Sequence, residues 1–163
     1  MRENRYLAAS VPINDTKLWI TGGATGTARM SNTEFIYQDK TIKGPELPLA
    51  VNSHCLIPLN NQQFLLVGGN SNQGISTKTF IYDFEIGVWR NGPDLNFARN
   101  SHACGIMTVN SKRVAVVTGG LSENGALDST EFLNVELSEK WEIGKILARK
   151  FKLQIFNSTK KIF

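Results

Sequence analysis

The sequence predicts an all-β chain built from three tandem copies of a small four-stranded antiparallel sheet. Two observations carry this. A double glycine recurs as Ile20-Thr21-Gly22-Gly23, Leu66-Val67-Gly68-Gly69 and Val117-Thr118-Gly119-Gly120, with the first glycines 46 and 51 residues apart. Around each marker lie short runs rich in β-branched and aromatic residues, bounded by Gly, Pro, Asn and Ser, which is the pattern of strands joined by turns.

The elements follow in a fixed order after each glycine pair. Thr33-Glu34-Phe35-Ile36-Tyr37, Lys78-Thr79-Phe80-Ile81-Tyr82 and Thr130-Glu131-Phe132-Leu133-Asn134 share a phenylalanine with an aliphatic neighbour. Trp89-Arg90-Asn91-Gly92 and Trp141-Glu142-Ile143-Gly144 share a W-x-x-G frame, of which Thr41-Ile42-Lys43-Gly44 keeps the glycine. Gly44-Pro45-Glu46-Leu47 and Asn52-Ser53-His54 match Gly92-Pro93-Asp94-Leu95 and Asn100-Ser101-His102 at one offset of 48. In the second copy the strands are expected at about 54–59, 63–67, 78–84 and 87–90. The run Phe64-Leu65-Leu66-Val67 is continuously apolar, so it should be covered on both faces, and Arg113-Val114-Ala115-Val116-Val117 has the same character. A glycine pair at a strand exit supplies positive φ and lets neighbouring backbone approach closely.

These residues resemble the kelch repeat. A kelch blade carries a double glycine at the end of its second strand, an aromatic on the third, a tryptophan on the fourth, and an arginine and histidine before the next blade. The second copy is the most complete, from Gly68 through Tyr82, Trp89, Gly92-Pro93 and Arg99 to His102. The first copy has Thr41 in the tryptophan slot and Val51 in the arginine slot; the third has Asn134 for tyrosine and Gln154 for histidine. The resemblance implies kelch-type β-propeller blades at about 1–47, 48–95 and 96–147, with 148–163 as the stub of a fourth blade and a basic tail. Phe151 to Phe156 is the expected first strand of that blade. Since propellers close with at least about four blades, three imply an incomplete arc: a fragment, a truncated form, or a chain that completes its ring with another. Open blade edges would then allow self-association.

Composition narrows the function. An apolar fraction of 41% with 20% charged residues is that of an ordinary globular chain. No apolar run is long enough to span a bilayer and the first residues are polar, so no membrane segment or secretory leader is read and the expected compartment is the cytoplasm. The net charge of +4 comes from the segment 145–163, which has six basic residues and no acid. The remainder holds twelve basic against fourteen acidic residues, a net of −2, so nucleic acid is not an expected partner. Cys55 and Cys104 lack CxxC spacing and are expected to be reduced, small apolar residues. His54, Cys55, His102 and Cys104 have the ligand types of a zinc site. However, the histidines share one slot of adjacent copies and strand alternation aims the cysteines at opposite faces, so no metal is predicted. The sequons Asn14-Asp15-Thr16 and Asn157-Ser158-Thr159 matter only in a secreted protein.

No enzyme activity and no cofactor are predicted. The resemblance extends to copper oxidases with kelch-like propellers, but Tyr37 and Tyr82 fall on landmarks with a packing role, and neither a G-x-S-x-G frame nor a paired carboxylate is present. The expected function is a protein-interaction module, a scaffold or substrate adaptor that binds another protein or peptide. The alternative is part of a secreted kelch-like enzyme or carbohydrate-binding domain. Variable loops Ala24 to Asn32, Asn70 to Thr77 and Leu121 to Ser129 vary on a constant frame, where binding specificity resides. What the resemblance implies for the mouth of this loop face is Arg99, Asn100, Asn52, Asn70 and Arg5, with Ala24 and Leu121 in the slots after the glycines. A guanidinium there would suit a carboxylate.

Overall fold

The computed structural model describes residues 3–136 and 138–144. No helix occurs among them. The first sheet is made of β1 (Ala9–Asn14) and β2 (Lys17–Thr21), then, after a ribbon of β3 (Ala24–Thr25) and β4 (Ala28–Arg29), β5 (Thr33–Tyr37) and β6 (Thr41–Lys43). The second begins after β7 (Val51–Asn52) with β8 (Cys55–Pro58) and β9 (Gln63–Val67), continues past the ribbon β10 (Asn70–Ser71) and β11 (Gly74–Ile75), and ends with β12 (Thr79–Asp83) and β13 (Val88–Asn91). The third is β14 (Ala103–Val109), β15 (Lys112–Thr118), the ribbon β16 (Leu121–Ser122) and β17 (Gly125–Ala126), then β18 (Thr130–Asn134) and β19 (Glu142–Ile143). Each sheet is antiparallel with its four strands in chain order. The four strands of the second copy fall within a residue or two of the spans expected from turn residues and apolar runs. The proposed fourth-blade strand Phe151 to Phe156, and the whole stub 148–163, lie outside the described residues.

One register differs from the sequence alignment. Thr21 pairs with Thr33, Val67 with Thr79 and Thr118 with Thr130, so Thr79 is the counterpart of Thr33. Phe80, rather than Thr79, therefore fills the slot of Glu34 and Glu131. The phenylalanine that the copies share in sequence is thus displaced by one residue in the second, and one residue turns a side chain to the other face of its sheet.

The sheets stack face to face through two apolar layers, with β8 lying between β1 and β14. The first layer sets Val11, Trp19, Phe35 and Leu47 against Leu56, Phe64, Leu66 and Tyr82. Trp19 is fully buried, with Phe35, Phe64, Tyr82, Phe84 and Trp89 at centroid distances of 5.2–5.9 Å. Truncating an aromatic side chain so enclosed costs about 3–5 kcal/mol. The second layer sets Ile57, Leu59, Leu65, Val67, Ile81 and Leu95 against Ala115, Val117, Leu133 and Trp141. Along β9, Phe64 and Leu66 enter the first layer while Leu65 and Val67 enter the second, which is why this strand is continuously apolar.

Beyond β9, Gly68 and Gly69 have φ of 57° and 98°, and a Cβ on Gly69 would stand 2.6 Å from Val51 Cγ2 and 2.8 Å from Asn52 O. That contact brings the connection leading into the second sheet against the end of its own second strand. In each such connection one residue takes the left-handed conformation: Leu7, Ser53 and Ser101, with φ of 55°, 52° and 52°. Such a conformation costs a non-glycine residue roughly 1–2 kcal/mol. It is offset by a ladder between sheets, Ser53 N–H donating to Leu7 O at 2.8 Å and Ser101 N–H to Ser53 O at 2.9 Å.

Candidate functional site

The segments expected as loops fold into three two-stranded ribbons that stand at one rim. In the second, Ser71 Oγ accepts from Gln73 N–H at 3.1 Å and donates to Gly74 O at 3.0 Å. In the third, Ser122 Oγ accepts from Asn124 N–H at 3.2 Å and donates to Gly125 O at 3.0 Å. Gly74 and Gly125, with φ of 105° and 115°, close these turns. The signal was present in the sequence as Ser-Asn-Gln-Gly and Ser-Glu-Asn-Gly, a serine followed three residues on by a glycine. The first ribbon turns instead through Gly26 and Thr27, between Thr25 and Ala28.

The connections preceding each sheet are stitched to the ribbons by antiparallel bridges: Tyr6 to Ala24, Asn52 to Asn70 and Asn100 to Leu121. The structure thus brings Asn52, Asn70 and Asn100 to the rim. Asn52 and Asn70 are half-buried and Asn100 is 9% exposed. Within the described residues their side-chain amides make no hydrogen bonds, while their backbones hold the frame. Tyr6, Leu7 and Leu121, about half exposed each, add an apolar component to this rim.

The two arginines are placed otherwise, and their expected role as exposed cations is corrected. Arg99 is fully buried and pairs with Glu131 at 2.8 Å, while its second nitrogen donates to Gly119 O at 2.7 Å and Ser129 O at 3.2 Å. Glu131 also accepts from Asn96 N–H at 2.7 Å, Asn96 Nδ2 at 2.8 Å and Phe97 N–H at 3.2 Å. Arg5 repeats the clamp: its side chain is 1% exposed, pairs with Glu34, and donates to Gly22 O at 2.8 Å and Asn32 O at 3.2 Å. A buried guanidinium whose fork is already occupied by a carboxylate is not offered to a partner. In the second sheet the same two slots hold Val51, fully buried, and Phe80, both part of the first apolar layer. Charge or its absence is thus matched within each copy, and the pairing is visible in the sequence only once the register of Phe80 is known.

Behind the rim lie His54 and His102. His54 shares a hydrogen bond of 2.8 Å between its Nε2 and Thr21 Oγ1. His102 occupies the equivalent place against Gly68, beside Val67, where no hydroxyl is present, and neither ring nitrogen finds a hydrogen-bonding side chain. Burial lowers the pKa of His54 to about 3, with the proximity of His102 acting in the same direction. Burial lowers His102 to about 4, aided by the charge of Arg99 and opposed by Glu131.

The expectation of two reduced thiols is overturned. Cys55 and Cys104 form a disulfide, with Cα atoms 6.3 Å apart. Cys55 pairs with Val67 and shares its face, which looks toward the third sheet; Cys104 pairs with Val117, whose face looks back toward the second. The cysteines do lie on opposite faces in the repeat frame. In stacked sheets, however, the back of one sheet meets the front of the next, so opposite faces bring them together. Both sulfurs being bonded to each other, no thiolate is left for the zinc set considered above.

No protein-family model matches the chain, and no curated protein matches it significantly. No helix among the described residues is long and apolar enough to cross a membrane.

Proposed function

We propose that this chain is an arc of a kelch-type propeller and that it binds another protein through the ribbon rim. The outward face of the first sheet supports the propeller reading. It carries Leu18, Ile20 and Ile36 in the slots where the second sheet uses Phe64, Leu66 and Tyr82 to cover the first, so the stacking pattern calls for a further blade on that side. The observation that carries the binding role is the set of three ribbons. Their bases are anchored by equivalent bridges, backed by a buried arginine clamp in the first and third copies and by Val51 and Phe80 in the second, while their tips differ: Gly26-Thr27, Asn72-Gln73 and Glu123-Asn124, all exposed. A rigid frame that presents unlike tips side by side is what selective recognition requires, because little conformational entropy is lost on binding. Asn52, Asn70 and Asn100 supply amide donors and acceptors beneath the tips, and Tyr6, Leu7 and Leu121 supply apolar contact area.

A photo-crosslinking residue placed at Asn72 or Glu123 tests the rim, with Asn61 on the β8–β9 turn at the opposite end as control. Applied to the full chain in an extract of its source, the first two should give a discrete adduct and the third none. Adducts from Asn61 equal to or stronger than those from the ribbons would refute the assignment.

A further inference from the structure

The chain contains two cysteines and both are joined, Cys55 to Cys104, across the layer between the second and third sheets. A structural disulfide with no thiol left over belongs to a protein folded in an oxidising compartment. In that compartment the sequon Asn14-Asp15-Thr16 acquires a meaning that it lacks in the cytosol. The structure places it at an exposed site: Asn14 ends β1, Asp15 and Thr16 form the turn into β2, and all three residues are exposed. Asn14 Oδ1 accepts from Thr16 N–H at 3.0 Å and from Thr16 Oγ1 at 3.1 Å, so the side-chain oxygen is engaged by the sequon threonine. The amide nitrogen Nδ2 takes part in no hydrogen bond among the described residues. This turn lies at the opposite end of the first sheet from the ribbon, because β2 starts at the turn and ends at Thr21, just before the glycine pair that leads into the ribbon. A bulky group at Asn14 therefore leaves both the apolar layers and the ribbon rim uncovered.

We propose that the chain folds in the secretory pathway and that Asn14 carries an N-linked oligosaccharide. The donor is an oligosaccharide linked through a diphosphate to a polyprenyl lipid. Asn14 Nδ2 bonds to the anomeric carbon of the first sugar, the bond from that carbon to the phosphate oxygen breaks, the lipid diphosphate leaves with the electron pair, and one amide proton passes to the transferase's base. The glycan forms a polar cap on the rim away from the ribbons, and the chain presents its recognition surface on the other side.

The test begins with the protein isolated from its source by antibody. Peptide mapping after release of N-glycans in heavy-oxygen water should convert residue 14 to a labelled aspartate, and alkylation without reduction should find no free thiol. The full chain expressed behind a cleavable secretory leader should show a glycan-sized mobility shift. That shift should be lost in Asn14→Gln and in Thr16→Ala and kept in Asn157→Gln, which removes the other sequon. An unmodified Asn14 in the source protein overturns the proposal whatever the state of the thiols, and so does a shift that survives Asn14→Gln while vanishing in Asn157→Gln. Two free thiols in the source protein overturn its placement in the secretory pathway.

Discussion

Lowering the pH from 7 to 5 should destabilise this protein through two histidines that the folded state keeps neutral. His54 and His102 are buried behind the rim, with pKa values lowered to about 3 and about 4. In the unfolded chain each returns to about 6.5. Between those values the unfolded state binds protons that the native state refuses, so stability is fully present above about pH 6.5 and falls as the pH drops toward 4. Each histidine contributes a slope of up to about 1.4 kcal/mol per pH unit, which from pH 7 to 5 amounts to about 2 kcal/mol apiece. Set against a typical domain stability of about 5–15 kcal/mol, the pair removes a large share. Carboxylates add little in this window, because the lowered pKa values of Glu46 and Asp83 act only below their ordinary range. Urea denaturation at half-unit steps of pH, followed by tryptophan fluorescence, measures the slope directly. His102→Gln should remove about half of it, and combining it with His54→Gln nearly all. A flat profile between pH 7 and 5, or a double variant that keeps the wild-type slope, would refute the assignment of acid sensitivity to these rings.

Two further outcomes follow from the packing. Arg99→Met should cost about 3–5 kcal/mol in urea denaturation, since it leaves Glu131 buried with its charge uncompensated, whereas Arg99→Val combined with Glu131→Phe, which copies the Val51 and Phe80 slots of the second sheet, should recover most of that loss. A double variant as unstable as the single one would show that the clamp is not interchangeable with an apolar pair. Thiol titration of the unreduced, unfolded protein should find no free group, and reduction of the Cys55–Cys104 bridge, which spans 49 residues, should lower stability by about 4 kcal/mol in the chain-entropy model. Recovery of two thiols without reduction would contradict the bridge.

The strand elements are written in local signals along the chain. The glycine pairs, the turn residues and the apolar runs set the strand spans of the second copy, and the unbroken run Phe64 to Val67 announced a strand covered on both faces, as it is. These signals are local, since strand alternation and turn chemistry act over two to four residues. The ribbons were expected only as loops, although the serine and glycine that close the two-residue turns of the second and third are themselves a local signal. Tertiary structure alone decided what meets across the layers. Arg99 and Glu131 are 32 residues apart, and whether that arginine faces solvent or a buried carboxylate depends on how its connection lies over the third sheet. The cysteines mislead for the same reason: within one sheet opposite faces separate two side chains, and between stacked sheets they join them. The register of Phe80 turned on which residue pairs with Val67, a choice made by the hydrogen-bonded ladder and the apolar layer together rather than by a shared phenylalanine.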